Sequence, residues 1–316
     1  MTEGGSPFAR LCDDRLVQTP AAEVDLDESL VRRLIEAQHP DLAESGRPLT
    51  LVTNGWDNAI YRLGDDLCVR LPRRGAAFDL IVNEQRWLPL LAANVSAPIP
   101  VPVRVGTPEF GYPWPWTVTR WHEGTIAAEL PPPQRAVIAK QLGEFMVGWH
   151  RPAPAEAPRS PVRGIPLPQR DQGVREGLAS GLVPHAEALE KLWDKLVDTP
   201  PWTDGPVWLH GDPHPANFLI TGDVAGGQSL VVLDFGDLSA GDPATDLAAA
   251  WLVFDAGARE TFRQAVNPDE HTWARALGWA LALGIAFQLH SDDNPLMAAI
   301  ATHTLSEVSR YTASSW

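Results

Sequence analysis

Two short polar segments, each held beside apolar runs, constrain this 316-residue chain more than any other feature. Residues 210–217 read His-Gly-Asp-Pro-His-Pro-Ala-Asn, between Val207-Trp208-Leu209 and Phe218-Leu219-Ile220. The flanks have the length and composition of short buried strands, so the polar octet must be a tight connecting loop. Two prolines stiffen it and Gly211 lets it turn. Seventeen residues after Asn217, the apolar run Leu230–Leu233 ends in Asp234-Phe235-Gly236-Asp237. A carboxylate just past a buried strand is well placed to hold magnesium, a hard ion that prefers oxygen donors. An Asp, an Asn five residues on and a further Asp at a strand end form the set that phosphoryl transfer requires. One carboxylate accepts the proton of a substrate hydroxyl, while the amide and second carboxylate hold magnesium against nucleotide phosphates. Either segment alone also has a plainer reading, as a capped turn or an acidic hairpin. Together they point to chemistry.

Upstream, residues 1–121 alternate short β-like runs with two helical patterns. Asp25–Leu42 opens on acidic capping residues and places Leu26, Leu30, Leu34 and Ile35 on one helical face. Strands are predicted at Leu49–Thr53, Ala59–Leu63 and Leu67–Leu71, parted by Asn54-Gly55 and Gly64-Asp65-Asp66. A helix over Ala77–Ala93 then leads to strands at Val101–Gly106 and Trp116–Trp121. This order predicts an antiparallel sheet carrying one main helix.

From Gly124 the pattern turns helical. Pro131-Pro132-Pro133 opens a helix with Ile138, Leu142, Phe145 and Trp149 on one stripe, and Leu189, Leu192, Trp193 and Leu196 mark another. Further helices are expected near 244–255, 257–266, 269–290 and 294–312. Arg151–Pro168 holds six prolines in 18 residues and reads as an extended loop wrapped over the surface. The expectation is an α+β chain of two lobes: residues 1–121, a small sheet lobe with an N-terminal helical extension, and residues 122–316, a larger helical lobe.

A net charge of −15 argues against nucleic acid or an anionic membrane as partner. It suits a cationic substrate, and equally suits plain solubility. Cys12 and Cys68 are the only cysteines, so a disulfide framework is not expected and a reducing cytoplasm fits. Met1 to Arg15 is polar and mixed in charge, unlike a secretory signal. Apolar runs such as Trp279–Phe287 fall short of the ~20 residues a membrane helix needs. A monomer and a homodimer are both compatible with these features.

In combination, His210–Asn217, Val232-Leu233-Asp234-Phe235-Gly236-Asp237 and Gly241-Asp242-Pro243-Ala244-Thr245-Asp246-Leu247-Ala248 resemble the aminoglycoside phosphotransferase family. The similarity runs from about Leu49 to the C-terminus. That family shares a bilobal protein-kinase-like fold with choline, homoserine and methylthioribose kinases. The resemblance implies that Asp212 is the catalytic base, that Asn217 and Asp234 bind magnesium, and that Asp246 braces the catalytic loop. It implies ATP as phosphoryl donor, with GTP as the alternative. The Asn54–Tyr61 turn would cover the phosphates, with Asn58 donating its amide. Arg70 stands where the pattern has Lys, with Glu84 on the next helix as its partner and Arg73 and Arg74 as rivals. Arginine is always charged and its fork can engage phosphate and carboxylate together. Thr119, Arg120, Trp121 and His122 would form the hinge that reads the nucleotide base.

Two other classes use similar residues. A metal-dependent phosphoesterase would take Asp212, His214 and Asn217 as metal ligands, but it also needs a further Asp-x-His upstream of them and a Gly-Asn-His downstream, and neither occurs. A catalytically silent kinase-like module would have little need of Asp212, Asn217 and Asp234 together. No activation segment ending in Ala-Pro-Glu follows Asp234, which argues against a protein kinase. The acceptor is expected to be a small-molecule hydroxyl compound. Asp237, Asp255, Glu260, Asp269 and Glu270 are candidate contacts for a cationic, aminoglycoside-like acceptor. Trp251, Phe254, Trp273, Trp279 and Phe287 are the alternative, an apolar wall for a macrolide or another bulky alcohol. Choline, sugar or amino-alcohol kinases remain further alternatives.

Overall fold

Asp27 starts the first described helix, α1 (Glu28–Gln38), by accepting the Leu30 N–H at 2.7 Å. The structure, a computed structural model, describes residues 21–44, 46–223 and 227–315; Met1–Arg15 and Cys12 lie outside them. Leu30, Val31, Leu34 and Ile35 form the buried stripe of α1. The single helix expected over Asp25–Leu42 is two, because α2 (Pro40–Ala43) begins anew. Pro40 disfavours helical backbone at the residue before it, and His39 sits at φ −139°.

Five strands follow: β1 (Leu49–Asn54), β2 (Asn58–Leu63), β3 (Leu67–Pro72) and, after helix α3 (Phe78–Leu91), β4 (Arg104–Gly106) and β5 (Trp116–Arg120). They form one antiparallel sheet in the order β1-β2-β3-β5-β4. Strand β4 is shorter than the expected Val101–Gly106, since Pro100 and Pro102 supply no N–H to extend the ladder. Every residue of central β3 is buried, Arg70 included. Tyr61, Val69, Trp116 and the α1 stripe make a core of their own on this sheet.

The remainder is mainly helical. Strand β6 (Thr125–Ile126) leads to α4 (Pro132–Arg135), α5 (Ala139–Trp149), α6 (Asp171–Ala179) and α7 (Ala186–Leu196). Strands β7 (Val207–Leu209), β8 (Phe218–Asp223), β9 (Gly227–Val232) and β10 (Ser239–Gly241) come next. Helices α8 (Ala244–Leu247), α9 (Ala249–Val253), α10 (Ala256–Val266), α11 (Glu270–Leu289) and α12 (Pro295–Ser315) complete the described chain. Trp149, Trp193, Trp251 and Trp279 are among the largest fully buried side chains of this second core. Trp251, Phe254, Trp273 and Trp279 are core residues, so they do not line an acceptor pocket. Helix α3 ties the sheet to the second core: its Trp87, Leu88 and Leu91 belong to that core, Trp87 packs on Trp208 at 4.9 Å, and its Gln85 donates to the Trp116 carbonyl of β5 at 3.1 Å. Among the described residues, no helix is long and apolar enough to cross a membrane.

The strand pairing explains why the two polar segments meet. Strand β7 pairs with β10 in antiparallel register, Leu209 opposite Ser239. Strand β8 pairs with β9, Phe218 opposite Val232. The loop leaving β7 for β8 and the turn leaving β9 for β10 therefore emerge side by side.

Candidate active site

The loop leaving β7 is fixed by one carboxylate. Asp246, fully buried in α8, accepts the backbone N–H of His210 at 2.7 Å and of Gly211 at 2.9 Å. His150, beyond the end of α5, sets its Nε2 3.1 Å from the same carboxylate. The His210 ring joins the two polar segments: its Nε2 donates to the Leu233 carbonyl at 2.9 Å and its Nδ1 accepts the Asp212 N–H at 3.2 Å. Those roles require the neutral Nε2–H tautomer. Phe235, fully buried, packs on His210 at 4.7 Å and Trp149 at 4.9 Å. Gly211 has φ 88°, and a Cβ there would stand 2.3 Å from the Asp237 carbonyl oxygen, so only glycine lets the segments touch.

Asp212 uses its two oxygens differently. Oδ2 lies 3.0 Å from His214 Nε2 and accepts the Asn217 side-chain amide at 3.3 Å. Oδ1 lies 3.5 Å from Arg163 Nη2. Burial by itself would raise the Asp212 pKa, but the charges and hydrogen bond supplied by His214, with Arg163 behind it, hold the carboxyl well below the usual range. For His214, burial works against its charge, and the Asp212 carboxylate outweighs it and moves the pKa up. The ring also stands edge-on to Phe287 at 5.8 Å, which places that aromatic, alone of the five proposed, at the site.

Arg70 donates to Glu84 from both terminal guanidinium nitrogens, the longer of the two bonds being 3.1 Å. Both are almost fully buried. Burial disfavours the Arg70 charge, yet Glu84 and Asp234 together more than restore it. The sheet's cation thus faces the acidic turn after β9. The rivals are engaged elsewhere: Arg73 donates to the Gly55 carbonyl at 2.6 Å and Arg74 pairs with Asp57 at 2.6 Å. Both brace the β1–β2 turn; Asn58, the first residue of β2, follows it with its Oδ1 buried without a hydrogen-bond partner.

The profile of the phosphotransferase enzyme family matches residues 48–279, well over half of the chain. The chain belongs to that family. No curated protein matches it by sequence. Among solved structures it is similar to the GDP and kanamycin complex of APH(2")-IIIa, at 19% identity and a TM-score of 0.63, with 92% of this chain and 100% of that one covered. It is also similar to apo macrolide 2'-phosphotransferase MphH from Brachybacterium faecium, at 20% identity, a TM-score of 0.57 and coverage of 85% and 98%. The streptomycin–ATP–APH(2")-IIa complex gives 15%, 0.55, 88% and 95%. The likeness at these identities is one of fold: a sheet-bearing N-terminal part beside a helical C-terminal part.

In this phosphotransferase the oxygens suited to magnesium gather at the junction of the two polar segments. The Asn217 amide nitrogen donates to the Asp212 carbonyl at 2.9 Å and to its carboxylate, which leaves Oδ1 for a cation. The Leu233 N–H donates to the Asn217 carbonyl at 2.8 Å, setting Asp234 beside it. Asp234 is exposed, at φ 56°, a left-handed turn that Asp tolerates better than most residues. Its Oδ1 accepts the Gly236 N–H at 3.2 Å, leaving Oδ2 available. Among the described residues no group of three His, Cys, Asp or Glu side chains forms a metal cage. The donors fit magnesium, which takes few protein oxygens and completes its octahedron with phosphates and water.

The residues expected to form a hinge are less gathered. Thr119 is buried with its hydroxyl 3.1 Å from Cys68 Sγ, and Arg120 is exposed. Burial, with Arg120 beside it, lowers the His122 pKa. Trp121 has its backbone N–H on the Asp66 carbonyl at 2.8 Å and its indole N–H on Glu123 at 3.0 Å, with Arg62 over the ring. Of the acidic acceptor candidates only Asp237 reaches the site, where Arg163 Nη2 lies 3.6 Å away. Asp255 and Asp269 cap α10 and α11, Glu260 bonds Gln264, and Glu270 pairs with Arg263. The sequence reading passed over Arg163, because a lone arginine in a proline-rich segment has no local signature.

Proposed function

We propose that this phosphotransferase moves the γ-phosphoryl group of ATP, or of GTP as the alternative donor, to a hydroxyl of a small molecule. Asp212 acts as base, with Asn217 and Asp234 as magnesium ligands. The observation carrying the proposal is the junction itself: Asp212 is hydrogen-bonded to Asn217, and Asp234 lies in the field of the Arg70–Glu84 pair. Asp212 Oδ1 receives the acceptor hydroxyl, orients its oxygen toward the phosphorus and takes its proton as the new bond forms. Such a depressed carboxyl takes that proton late, when the hydroxyl has already become acidic. Bound magnesium would supply charge neutralisation on the phosphates. Arg70, held by Glu84, would grip the α- and β-phosphates, Asn58 the phosphates from above, and the backbone of Thr119, Arg120, Trp121 and His122 the base. The lobes divide near Trp121–His122, and the enzyme works in the cytoplasm as a monomer or homodimer.

The acceptor proposed is an antibiotic-like polyol. Solved structures similar to this chain hold kanamycin or streptomycin, and one is a macrolide 2'-phosphotransferase. The net charge of −15 favours a cationic acceptor by long-range attraction. A specific observation keeps the macrolide reading alive: four of the five candidate acids serve as caps or surface pairs, and Phe287 stands beside His214.

The test is acceptor-dependent formation of ADP or GDP with magnesium, across aminoglycosides, macrolides, choline and small sugars. Asp212→Asn should lose about 10²–10⁴-fold in turnover. Failure of the wild type to bind either nucleotide at millimolar concentration overturns the kinase reading. Nucleotide binding without turnover on any acceptor would favour a silent module.

A further inference from the structure

The proline-rich stretch 151–168 is strapped to the catalytic strands rather than wrapped over the surface. The Ala240 N–H donates to the Pro158 carbonyl at 2.9 Å and Arg159 Nη1 to the Ala240 carbonyl at 3.1 Å. Past the turn, the Gly164 N–H donates to Thr245 Oγ1 at 3.0 Å and the Asp242 N–H to the Gly164 carbonyl at 3.0 Å. Between these anchors Ser160 Oγ accepts the backbone N–H groups of Val162 and Arg163. Gly164 packs backbone to backbone on Gly241, where a Cβ would come within 2.4 Å of its carbonyl oxygen. The strap is therefore locked on both sides of one residue, Arg163.

That residue is poorly satisfied where it stands. Its side chain is 16% exposed, and Nη2 reaches Asp212 Oδ1 at 3.5 Å and Asp237 Oδ2 at 3.6 Å, both long for charged hydrogen bonds. Nε is buried without a partner. A guanidinium has five donors in a planar fork, and this one lacks good acceptors for them. Arg163 also pushes down the pKa of buried Arg170, after burial itself, so two cations share this corner.

The position of the missing acceptor follows from Asp212. Oδ2 is occupied by His214 and Asn217, so Oδ1 is the oxygen that meets the acceptor hydroxyl. A cation beside Oδ1 stands next to the line along which that hydroxyl reaches phosphorus. We propose that Arg163 is a catalytic residue that binds the transferring phosphoryl group, an arginine finger supplied in cis by the strap. The inference rests on the kinase reading above. The acceptor oxygen bonds to the γ-phosphorus as the bond to the β-bridging oxygen breaks, the electron pair leaving with the nucleoside diphosphate. The acceptor proton goes to Asp212 Oδ1, and Arg163 turns from the carboxylates to the equatorial phosphoryl oxygens, where charge is spread in the transition state.

The test compares the wild type with Arg163→Ala and Arg163→Lys in the full chain. Calorimetry measures the Mg–nucleoside diphosphate complex, with whichever of ADP and GDP binds, with and without aluminium fluoride as a mimic of the phosphoryl group. Arg163→Ala should keep diphosphate affinity within about twofold while losing the aluminium fluoride gain, and kcat for nucleotide turnover should fall ~10²-fold or more with little change in KM. Arg163→Lys should recover part of both, since it keeps the charge but not the fork. Circular dichroism of each variant guards against a collapsed strap. An aluminium fluoride gain or a kcat unchanged in Arg163→Ala overturns the proposal, as does a wild type that binds diphosphate yet gains nothing from aluminium fluoride. A wild type binding neither diphosphate overturns the kinase reading instead, and this inference with it.

Discussion

At the scale of single residues, the site is governed by buried charges that depend on one another. Arg70 and Glu84 are both nearly sealed from solvent, so removing either strands the other. Arg70→Met should cost about 3–5 kcal/mol in chemical denaturation, whereas Arg70→Met with Glu84→Leu should recover most of that loss. Nucleotide affinity should fail in both variants. A double variant that binds nucleotide normally would show the pair to be structural only. The Asp212–His214 pair makes a different prediction, in pH. The folded pKa of His214 is raised above its ordinary 6.5, so its contribution is complete below that value and fades as pH climbs through the raised one. The folded pKa of Asp212 is depressed below 3.8, so its contribution is present above that value and fades as pH falls through the depressed one. The stability lost in His214→Asn should thus be largest between these limits and shrink on the alkaline side. In the same variant the acid limb of kcat/KM should move to higher pH, because Asp212 has lost its main stabilising cation. An acid limb that stays put would mean that His214 does not tune Asp212.

Secondary-structure elements show how far the sequence could be read. The α5 stripe, the α7 stripe and the paired apolar runs around 210–217 and 234–237 were visible because periodicity and strand length are local properties. The single helix over Asp25–Leu42 split because one proline changed the backbone of the residue before it, a local cue weighed against a longer stripe. Acceptor candidates failed for a related reason: Asp255 and Asp269 stand at N-cap positions, and capping is the commoner use of an acid before an apolar run. Arg163 lay beyond reach because its placement depends on a backbone-to-backbone match between Gly164 and Gly241, 77 residues apart in sequence (241 − 164). Gly241→Ala should therefore loosen the strap and lower turnover more than it lowers diphosphate affinity, a split that steady-state kinetics and calorimetry can separate. Helix α11 carries its own constraint. Arg275, almost fully buried in it, donates from Nε to Asp242 at 2.7 Å and from Nη1 to the Pro200 carbonyl at 2.7 Å. Asp242→Ala leaves that guanidinium buried and uncompensated, and should cost about 3–5 kcal/mol of unfolding free energy. A loss below 1 kcal/mol would mean that water or a local shift reaches Arg275.

For the whole molecule, the question is how two cores behave as one machine. The sheet core and the helical core are separate clusters of buried residues, yet α3 contributes Trp87, Leu88 and Leu91 to the helical one while carrying Glu84 to Arg70 on the sheet. A shift of α3 toward or away from Trp208 must therefore move the carboxylate that holds Arg70. Packing in a protein interior is dense enough to transmit such a shift. Trp87→Ala should cost about 3–5 kcal/mol, and more tellingly should split a single calorimetric transition into two, the sheet core melting apart from the helical one. If Arg70 and Asp234 hold nucleotide and magnesium as proposed, those ligands should pull the two transitions back together. Ligand at 100 times its Kd adds about 2.7 kcal/mol to the state that binds it, enough to be seen as a shift of the lower transition. Asp234→Ala combined with Trp87→Ala should remove the magnesium-dependent part of that recovery and leave any magnesium-independent nucleotide effect. If instead Trp87→Ala melts in one step at a lower temperature, contacts other than α3 hold the cores together, and Glu84 is not the link through which helical packing reaches Arg70.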